Sequence, residues 1–404
     1  MKKVLLRGPV LSASGYGCHA RFVLEALRLN EDYDLYVEPL NWGKSNWLHE
    51  DTEYRREIDK LIYKMAQHPD SNYDISVQVT IPNEWVNLAP INIGVCAGIE
   101  SDKVSLAWLQ KANEMDKIIV TSQHAKDGFV NTKYDLSPQG DDTDSIFYKC
   151  NTPVEIAHYG VKEIATTPLA LDLDDDFNFL TVAQMGPRKN LESTIRWFYE
   201  EFENDEVGLV IKAHWLNNSL LDRRNLTATL RALKNQYPTS KCSTYLLHGN
   251  LSDEEMQGLY THNNIKSYIT TTHGEGFGLP IFEAAYNGLP VVAPVWSGQV
   301  DFLSAMVTNE KSGKKKKTLL CERVAYDLEE VQQDALWAGV IEPGSKWCFP
   351  KEKKFKAAMR NVYKAYSSKK KNANILKEYL REEFSMDKKL DNLINLINFE
   401  GEEQ

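Results

Sequence analysis

One stretch constrains the fold more than any other: residues 266–303, KSYITTTHGEGFGLPIFEAAYNGLPVVAPVWSGQVDFL. It opens with Ser267, Tyr268, Ile269 and Thr270, a run of strand character, crosses a glycine-spaced loop, and restarts as a helix with Pro280 in its first turn. The helical pattern runs from Pro280 to Asn287 and stops at Gly288, where a left-handed cap favours glycine. A short apolar run, Pro290 to Ala293, follows. The spacing predicts one βαβ unit, and with it an α/β architecture.

Gly276 and Gly278 remove side chains where the chain turns into the helix, so backbone N–H groups can approach an anion with the helix dipole behind them. A phosphate suits that turn. The same stretch carries two carboxylates, Glu275 before the turn and Glu283 within the helix, which repel a bare phosphate but accept hydrogen bonds from hydroxyls. A phosphate flanked by polyols satisfies both demands, and a nucleotide sugar is such a molecule.

Length and composition narrow the field further. A chain of 404 residues is too long for one ordinary core and suits two domains of roughly 150–200 residues with a tail. No apolar run reaches the roughly 18 residues a membrane span needs, and in MKKVLLRGPV the sequence Arg7-Gly8-Pro9 interrupts the apolar start, which reads as a first strand rather than a secretory core. Six cysteines lie far apart with no C-x-x-C pair, as expected of reduced thiols in a cytoplasmic protein, and nine histidines form no ligand cluster, so no metal is expected. A net charge of −10 argues against a surface given over to nucleic acid, although residues 351–389 hold 13 Lys or Arg against 5 Asp or Glu. Such a basic segment can face an anionic lipid or nucleic acid; more commonly it is a solvated helix face.

In chain order, the first strand, Lys3 to Arg7, runs into a loop ending S-G-Y-G-C-H-A, with a helix from about His19 to Arg28. Gly15, Gly17 and Ala20 fit the dinucleotide pattern G-x-G-x-x-A, with Glu38 as a ribose acid, but seven residues separate the strand from the first glycine, too many for that tight turn. Residues 53–66 form an amphipathic helix with a basic stripe of Arg56, Lys60 and Lys64, nearly balanced by Glu53, Glu57 and Asp59. Strands follow at 75–79 and 91–96; Glu100, just past the second, can meet a ligand hydroxyl at a sheet edge or cap the next helix. An insertion spans 135–145, and 165–176 has linker composition; its aspartates need no metal to explain them. A strand over 177–183 leads to Q-M-G-P-R-K-N, which puts Arg188 and Lys189 ahead of a helix, where cations can neutralise a diphosphate. Residues 314–317, all lysine, read as an exposed loop, and 352–398 as helix.

The segment H-G-E-G-F-G-L-P-I-F-E-A-A-Y-N-G-L-P-V-V-A, with seven residues between Glu275 and Glu283, resembles the donor signature of family-4 retaining glycosyltransferases of the GT-B fold. The resemblance implies two Rossmann-like domains facing across a cleft, an acceptor-side domain over 1–165, a donor domain over 177–368, and a C-terminal helix in 369–404 returning to the first domain. It implies that Glu275 meets the donor sugar hydroxyls, that Glu283 binds the ribose, and that the amides of Gly276, Phe277, Gly278 and Leu279 hold the diphosphate. Lys189 and Arg188 join Glu275 in the catalytic set, although Gln184 stands where the family commonly has arginine. Asn250 and Leu251 fall on the nucleobase loop, Gly15 and Gly17 on a glycine loop facing the donor phosphate, and Tyr16 and Glu100 on the acceptor side. The turn S-G-Q-V-D-F-L resembles a support for the donor loop. No cofactor or metal is implied beyond the nucleotide-sugar donor; the acceptor is a glycan, a lipid-linked saccharide or another hydroxyl compound, with peripheral membrane contact allowed and nucleic acid, as modified DNA, an outside case.

Overall fold

Strands and helices alternate along the chain in the computed structural model, which describes residues 1–43, 45–68, 72–137, 146–308 and 313–398. The chain forms two compact units, one made of 1–160, 330–346 and 386–404, the other of 161–329 and 347–385.

The first unit begins with β1 (Lys2–Gly8), α1 (Gly15–Arg28), β2 (Tyr33–Pro39), α2 (Glu53–Gln67) and β3 (Ile75–Val79). It continues through β4 (Ile91–Cys96), α3 (Leu106–Ala112), β5 (Lys117–Val120), α4 (Gln123–Asn131), a hairpin of β6 (Lys133–Asp135) and β7 (Phe147–Lys149), and β8 (Val154–Ile156). Six strands make one sheet in the order β2-β1-β3-β4-β5-β8, every pair parallel. Strands covered on both faces need near-continuous apolar sequence, and Val4, Leu5 and Leu6 of β1 are all buried, as is the whole of β3. Of the insertion expected at 135–145, residues 138–145 lie outside the described chain.

Helix α1 starts four residues earlier than its apolar pattern indicates. The Ser14 hydroxyl caps it by accepting from the Gly17 amide at 3.1 Å, so Gly15 and Gly17 belong to the first turn of a helix and not to a loop. A Cβ on Gly17 would lie 1.9 Å from the Ser12 carbonyl oxygen, whereas one on Gly15 would meet nothing within 4 Å. Only Gly17 is therefore required by close approach.

The second unit contains β9 (Asn178–Gln184), α5 (Leu191–Phe202), β10 (Gly208–His214), α6 (Leu220–Lys234), β11 (Ser243–Leu247) and α7 (Asp253–Tyr260). Then come β12 (Ile265–Ile269), α8 (Leu279–Tyr286), β13 (Val291–Pro294), β14 (Ser304–Thr308), β15 (Lys315–Leu319) and β16 (Glu322–Val324). Its sheet, β11-β10-β9-β12-β13-β16, is again wholly parallel. Aromatic residues of α5 fill one face: Phe198 and Phe202 pack on Phe179 of β9 at centroid distances of 6.1 and 5.4 Å. The lysine run is not a loop but strand β15, antiparallel to β14; cross-strand bonds to 304–308 pair its backbone while its lysine side chains stay exposed.

The chain leaves this unit through β17 (Tyr326–Glu330) and re-enters through β18 (Lys346–Pro350), and the segment between belongs to the first unit, where Asn83 and Ser105 donate to the Gly339 carbonyl. Helices α9 (Glu352–Lys364) and α10 (Tyr366–Glu383) stay with the second unit, α10 lying on α8. The returning helix is α11 (Met386–Ile397), which packs on α1 and buries Leu393, Ile394 and Ile397. Lys117 secures its end by donating to the Leu396 carbonyl at 2.6 Å, and Tyr33 by donating to the Asn398 side chain at 2.7 Å. Among the described residues no helix is long and apolar enough to cross a membrane.

The contrast between the two glycines of α1 gives a test. Gly17→Ala is expected to cost about 1–3 kcal/mol in urea unfolding, because a backbone oxygen must move. Gly15→Ala, in open space and with better helix propensity, should leave stability unchanged or raise it by up to about 1 kcal/mol. Equal effects of the two would refute the packing assigned to this turn.

Candidate functional site

Strand order locates the site. In the second sheet the order reverses between β9 and β12, and in open α/β sheets ligands bind outside the carboxyl ends of the strands at such a switch. The loop after β9 carries Arg188 and Lys189; the loop after β12 carries Glu275.

These three side chains meet. Lys189 Nζ lies 2.6 and 2.7 Å from the two carboxylate oxygens of Glu275, and Arg188 donates to Oε2 at 3.1 Å and to the Gly274 carbonyl at 2.7 Å. The Thr272 hydroxyl adds a bond to Oε1 at 2.9 Å. Glu275 is buried, which by itself pushes its carboxyl towards the neutral form, but Lys189 and Arg188 together outweigh that and hold it below the usual carboxylate range.

The backbone of the loop is fixed from beneath. Ser297, at φ +65°, accepts from the Glu275 amide at 2.9 Å, and the Gly298 amide donates to the Glu275 carbonyl at 2.9 Å. A Cβ on Gly298 would stand 2.1 Å from the Gly276 carbonyl oxygen, so only glycine allows the two turns to nest. Gln299 completes the clip, accepting from Ser297 and donating to the Pro294 carbonyl, both at 3.0 Å. The turn that resembles a donor-loop support is thus hydrogen-bonded to that loop. Phe277 points inward, its ring 5.2 Å from Phe282 and 5.0 Å from Phe302, and Gly278 takes φ +97° to start α8.

Glu283 lies one helical turn and more beyond. Its Oε2 accepts from the Tyr260 hydroxyl at 3.0 Å, and burial pushes its carboxyl up to about 7, partly offset by Lys162 and by Tyr260. The two glutamates of one motif are therefore pushed in opposite directions, Glu275 towards its ionised form and Glu283 towards its protonated form.

The remaining expected residues are dispersed. Asn250 is exposed and its side-chain oxygen accepts from Asn218 at 2.7 Å; Leu251 is half-buried beside it. Gln184, at the position where an arginine was expected, turns to donate to the Trp215 carbonyl at 3.0 Å. In the first unit the Tyr16 ring lies tilted against Trp42 at a centroid distance of 4.1 Å and its hydroxyl reaches the Cys96 sulfur at 3.4 Å. Glu100 is half-buried and does not cap α3, a role taken by Ser105. Glu38 pairs with Arg7 at 3.3 Å.

Sequence patterns did not reveal Thr272, whose hydroxyl bonds Glu275, and showed Ser297 and Gln299 only as part of the turn S-G-Q-V-D-F-L, without the side-chain bonds they make. Lys212 was also missed. It lies buried in β10, bonded to the Gly249 carbonyl beside the 250–251 loop, and burial pushes its ammonium down to about 8. A lysine within the buried run G-L-V-I-K-A-H was the available signal. Among the described residues no three His, Cys, Asp or Glu side chains gather as a metal ion needs.

No family model matches the chain. A 118-residue segment is 34% identical to the serotype-specific mannosyltransferase WbdA of Escherichia coli, covering 28% of this chain and 13% of that protein. Whole-chain likeness is found with solved structures: sucrose-phosphate synthase from Thermosynechococcus elongatus, TM-score 0.62 at 12% identity over 98% of both chains, and Anabaena HepE in complex with UDP and glucose, TM-score 0.59 at 11% identity over 98% of both chains. The lipopolysaccharide outer core galactosyltransferase WaaB, in its apo form, gives a TM-score of 0.54 at 14% identity, covering 98% of this chain and 99% of that one. The chain has the GT-B glycosyltransferase fold.

The clamp on Glu275 predicts a pH-dependent mutant. Its folded-state pKa is depressed, so its stabilisation is complete above the unfolded value of 4.5 and is lost as pH falls through the lower folded value. Lys189→Met should therefore destabilise by up to about 3–5 kcal/mol at neutral pH. The gap to wild type should narrow below pH 4.5 in denaturant melts; a gap independent of pH would contradict the ion pair.

Proposed function

We propose that the chain is a retaining, metal-independent glycosyltransferase that moves a sugar from a nucleoside-diphosphate sugar to a hydroxyl acceptor, a glycan or lipid-linked saccharide being favoured. The observation that carries this reading is the buried Glu275 carboxylate gripped by Arg188 and Lys189 at the sheet's switch point. Only an ionised carboxylate is a pure acceptor for sugar hydroxyls, and its two cations keep it ionised.

The same pair serves the leaving group. As the glycosidic bond breaks, negative charge grows on the diphosphate, and Arg188 and Lys189, with the amides of 276–279 at the start of α8, stabilise that charge more than the ground state. These groups are fixed before substrate arrives, so little reorganisation is needed. The C–O bond to the leaving phosphate breaks, the acceptor oxygen bonds to the same face of the anomeric carbon, and the departing phosphate oxygen takes the acceptor proton. No protein nucleophile is required. Glu283 receives the ribose hydroxyls, and Asn250 and Leu251 border the base. Gly15 and Gly17 are assigned to the donor-phosphate side, and Tyr16 and Glu100 to the acceptor side. An NAD-dependent oxidoreductase is disfavoured because Glu38 is paired with Arg7 and the two glycines lie inside a helix.

A panel of UDP and GDP sugars, assayed for release of nucleoside diphosphate, tests the reading: turnover of at least one donor is expected, and tight NAD binding with no donor turnover would overturn it. On the donor so found, Glu275→Gln should lower kcat by about 10²–10³-fold while nucleoside-diphosphate affinity changes far less. Undiminished kcat would remove Glu275 from the mechanism.

Glu283 gives a separate pH signature. With its carboxyl raised to about 7, it gains a proton below that pH and loses acceptor capacity. The donor KM should rise as pH falls below 7, and Glu283→Gln should flatten that profile; an unchanged profile in the variant would exclude it from donor binding.

A further inference from the structure

The loop from β10 into α6 carries the most conspicuous apolar exposure of the second unit. Leu220 and Leu221 are 75% and 66% exposed, Leu216 46% and Trp215 38%; apart from Met1, the two α6 leucines are the most exposed large apolar side chains among the described residues. Single exposed leucines are ordinary, but four large apolar side chains within seven residues form a patch.

The patch is held out, not merely loose. Asp222 is buried and accepts from the amides of Trp215 and Leu216 at 2.9 and 3.0 Å, and His248 bonds the same carboxylate at 3.1 Å. Gln184 takes the Trp215 carbonyl, Asn218 donates to Asn250, and Ser219 caps α6 by accepting from the Asp222 amide at 3.2 Å. A buried carboxylate spent on two amides of an exposed tip costs desolvation that a purely flexible loop would not require.

Charge distinguishes the occupant. The chain carries −10 overall, yet residues 215–241 hold Arg223, Arg224, Arg231, Lys234 and Lys241 against the single buried acid Asp222. Arg223, Arg224, Arg231 and Lys234 recur at helical spacing from Leu220 along the exposed face of α6. Tryptophan and leucines at one end of a helix, with an arginine stripe beside them, match an anionic bilayer surface: the apolar tip enters the acyl boundary and the guanidinium groups meet lipid phosphates. A nucleic acid would satisfy the arginines and give Trp215 a base to stack on, but it would leave the three leucines in water.

We propose that this face, Trp215, Leu216, Leu220 and Leu221 with the arginines of α6, docks the protein on anionic lipid membranes. The full-length chain should co-sediment with vesicles of phosphatidylcholine plus phosphatidylglycerol and not with phosphatidylcholine alone, and added salt should weaken the binding. Leu220→Ser/Leu221→Ser and Arg223→Glu/Arg224→Glu should each lower vesicle affinity roughly tenfold or more, with melting temperature and solution-phase release of nucleoside diphosphate unchanged. The melting temperature makes the test independent of the catalytic reading. No binding of wild type to the mixed vesicles overturns the proposal, and so does binding that survives the leucine substitutions. Light scattering that shows the leucine variant converting a dimer to a monomer, with vesicle binding intact, would make the face a contact between copies and equally refute membrane docking.

Discussion

A carboxylate removed from water is costly unless positive charge is placed against it, and the second unit is organised around meeting that demand at Glu275. Lys189 contacts both of its oxygens, Arg188 one of them, and Thr272 donates to the other. The two cations come from the loop after β9 and the anion from the loop after β12, strands that are neighbours only because the sheet reverses its order there. The ion cluster therefore ties the two loops flanking the switch point. The nesting of Gly298 against Gly276 fixes the second loop from the opposite side.

This arrangement has a chemical consequence beyond stability. In the proposed reaction the two cations meet the diphosphate while the carboxylate they hold ionised accepts from sugar hydroxyls. Glu283, eight residues on, rests on the Tyr260 hydroxyl, and burial, partly offset by Lys162, pushes its carboxyl up to about 7. Two glutamates in one motif are thus pushed in opposite directions by their surroundings.

The sequence announced what is set by local pattern. The βαβ character of 266–303 followed from period, glycine spacing and the Gly288 stop, and the structure has β12, α8 and β13 there, with Gly288 at φ +78°. Gly15 and Gly17 read as loop in the sequence, whereas the helix begins at Gly15 with Ser14 as its cap. The lysine run at 314–317 was taken as a loop since its charge dominates its pattern, yet strand pairing needs only backbone. At the site, Glu275, Arg188 and Lys189 were found separately. Their ion pairing was not, since residues some 86 positions apart meet only through sheet order. Gln184 reads as a missing arginine in the sequence and as an anchor of the Trp215 carbonyl in three dimensions.

The most direct test of the Glu275 cluster as a diphosphate grip is calorimetric titration of wild type and Arg188→Met with a nucleoside diphosphate and, separately, with the same nucleoside lacking phosphates. The expected result is a loss of roughly tenfold or more in diphosphate affinity, as for a hydrogen bond to a charged group, with nucleoside affinity unchanged. Diphosphate affinity that is insensitive to removal of the guanidinium, or that falls in step with nucleoside affinity, would contradict the assignment of positive charge at this turn to the leaving group.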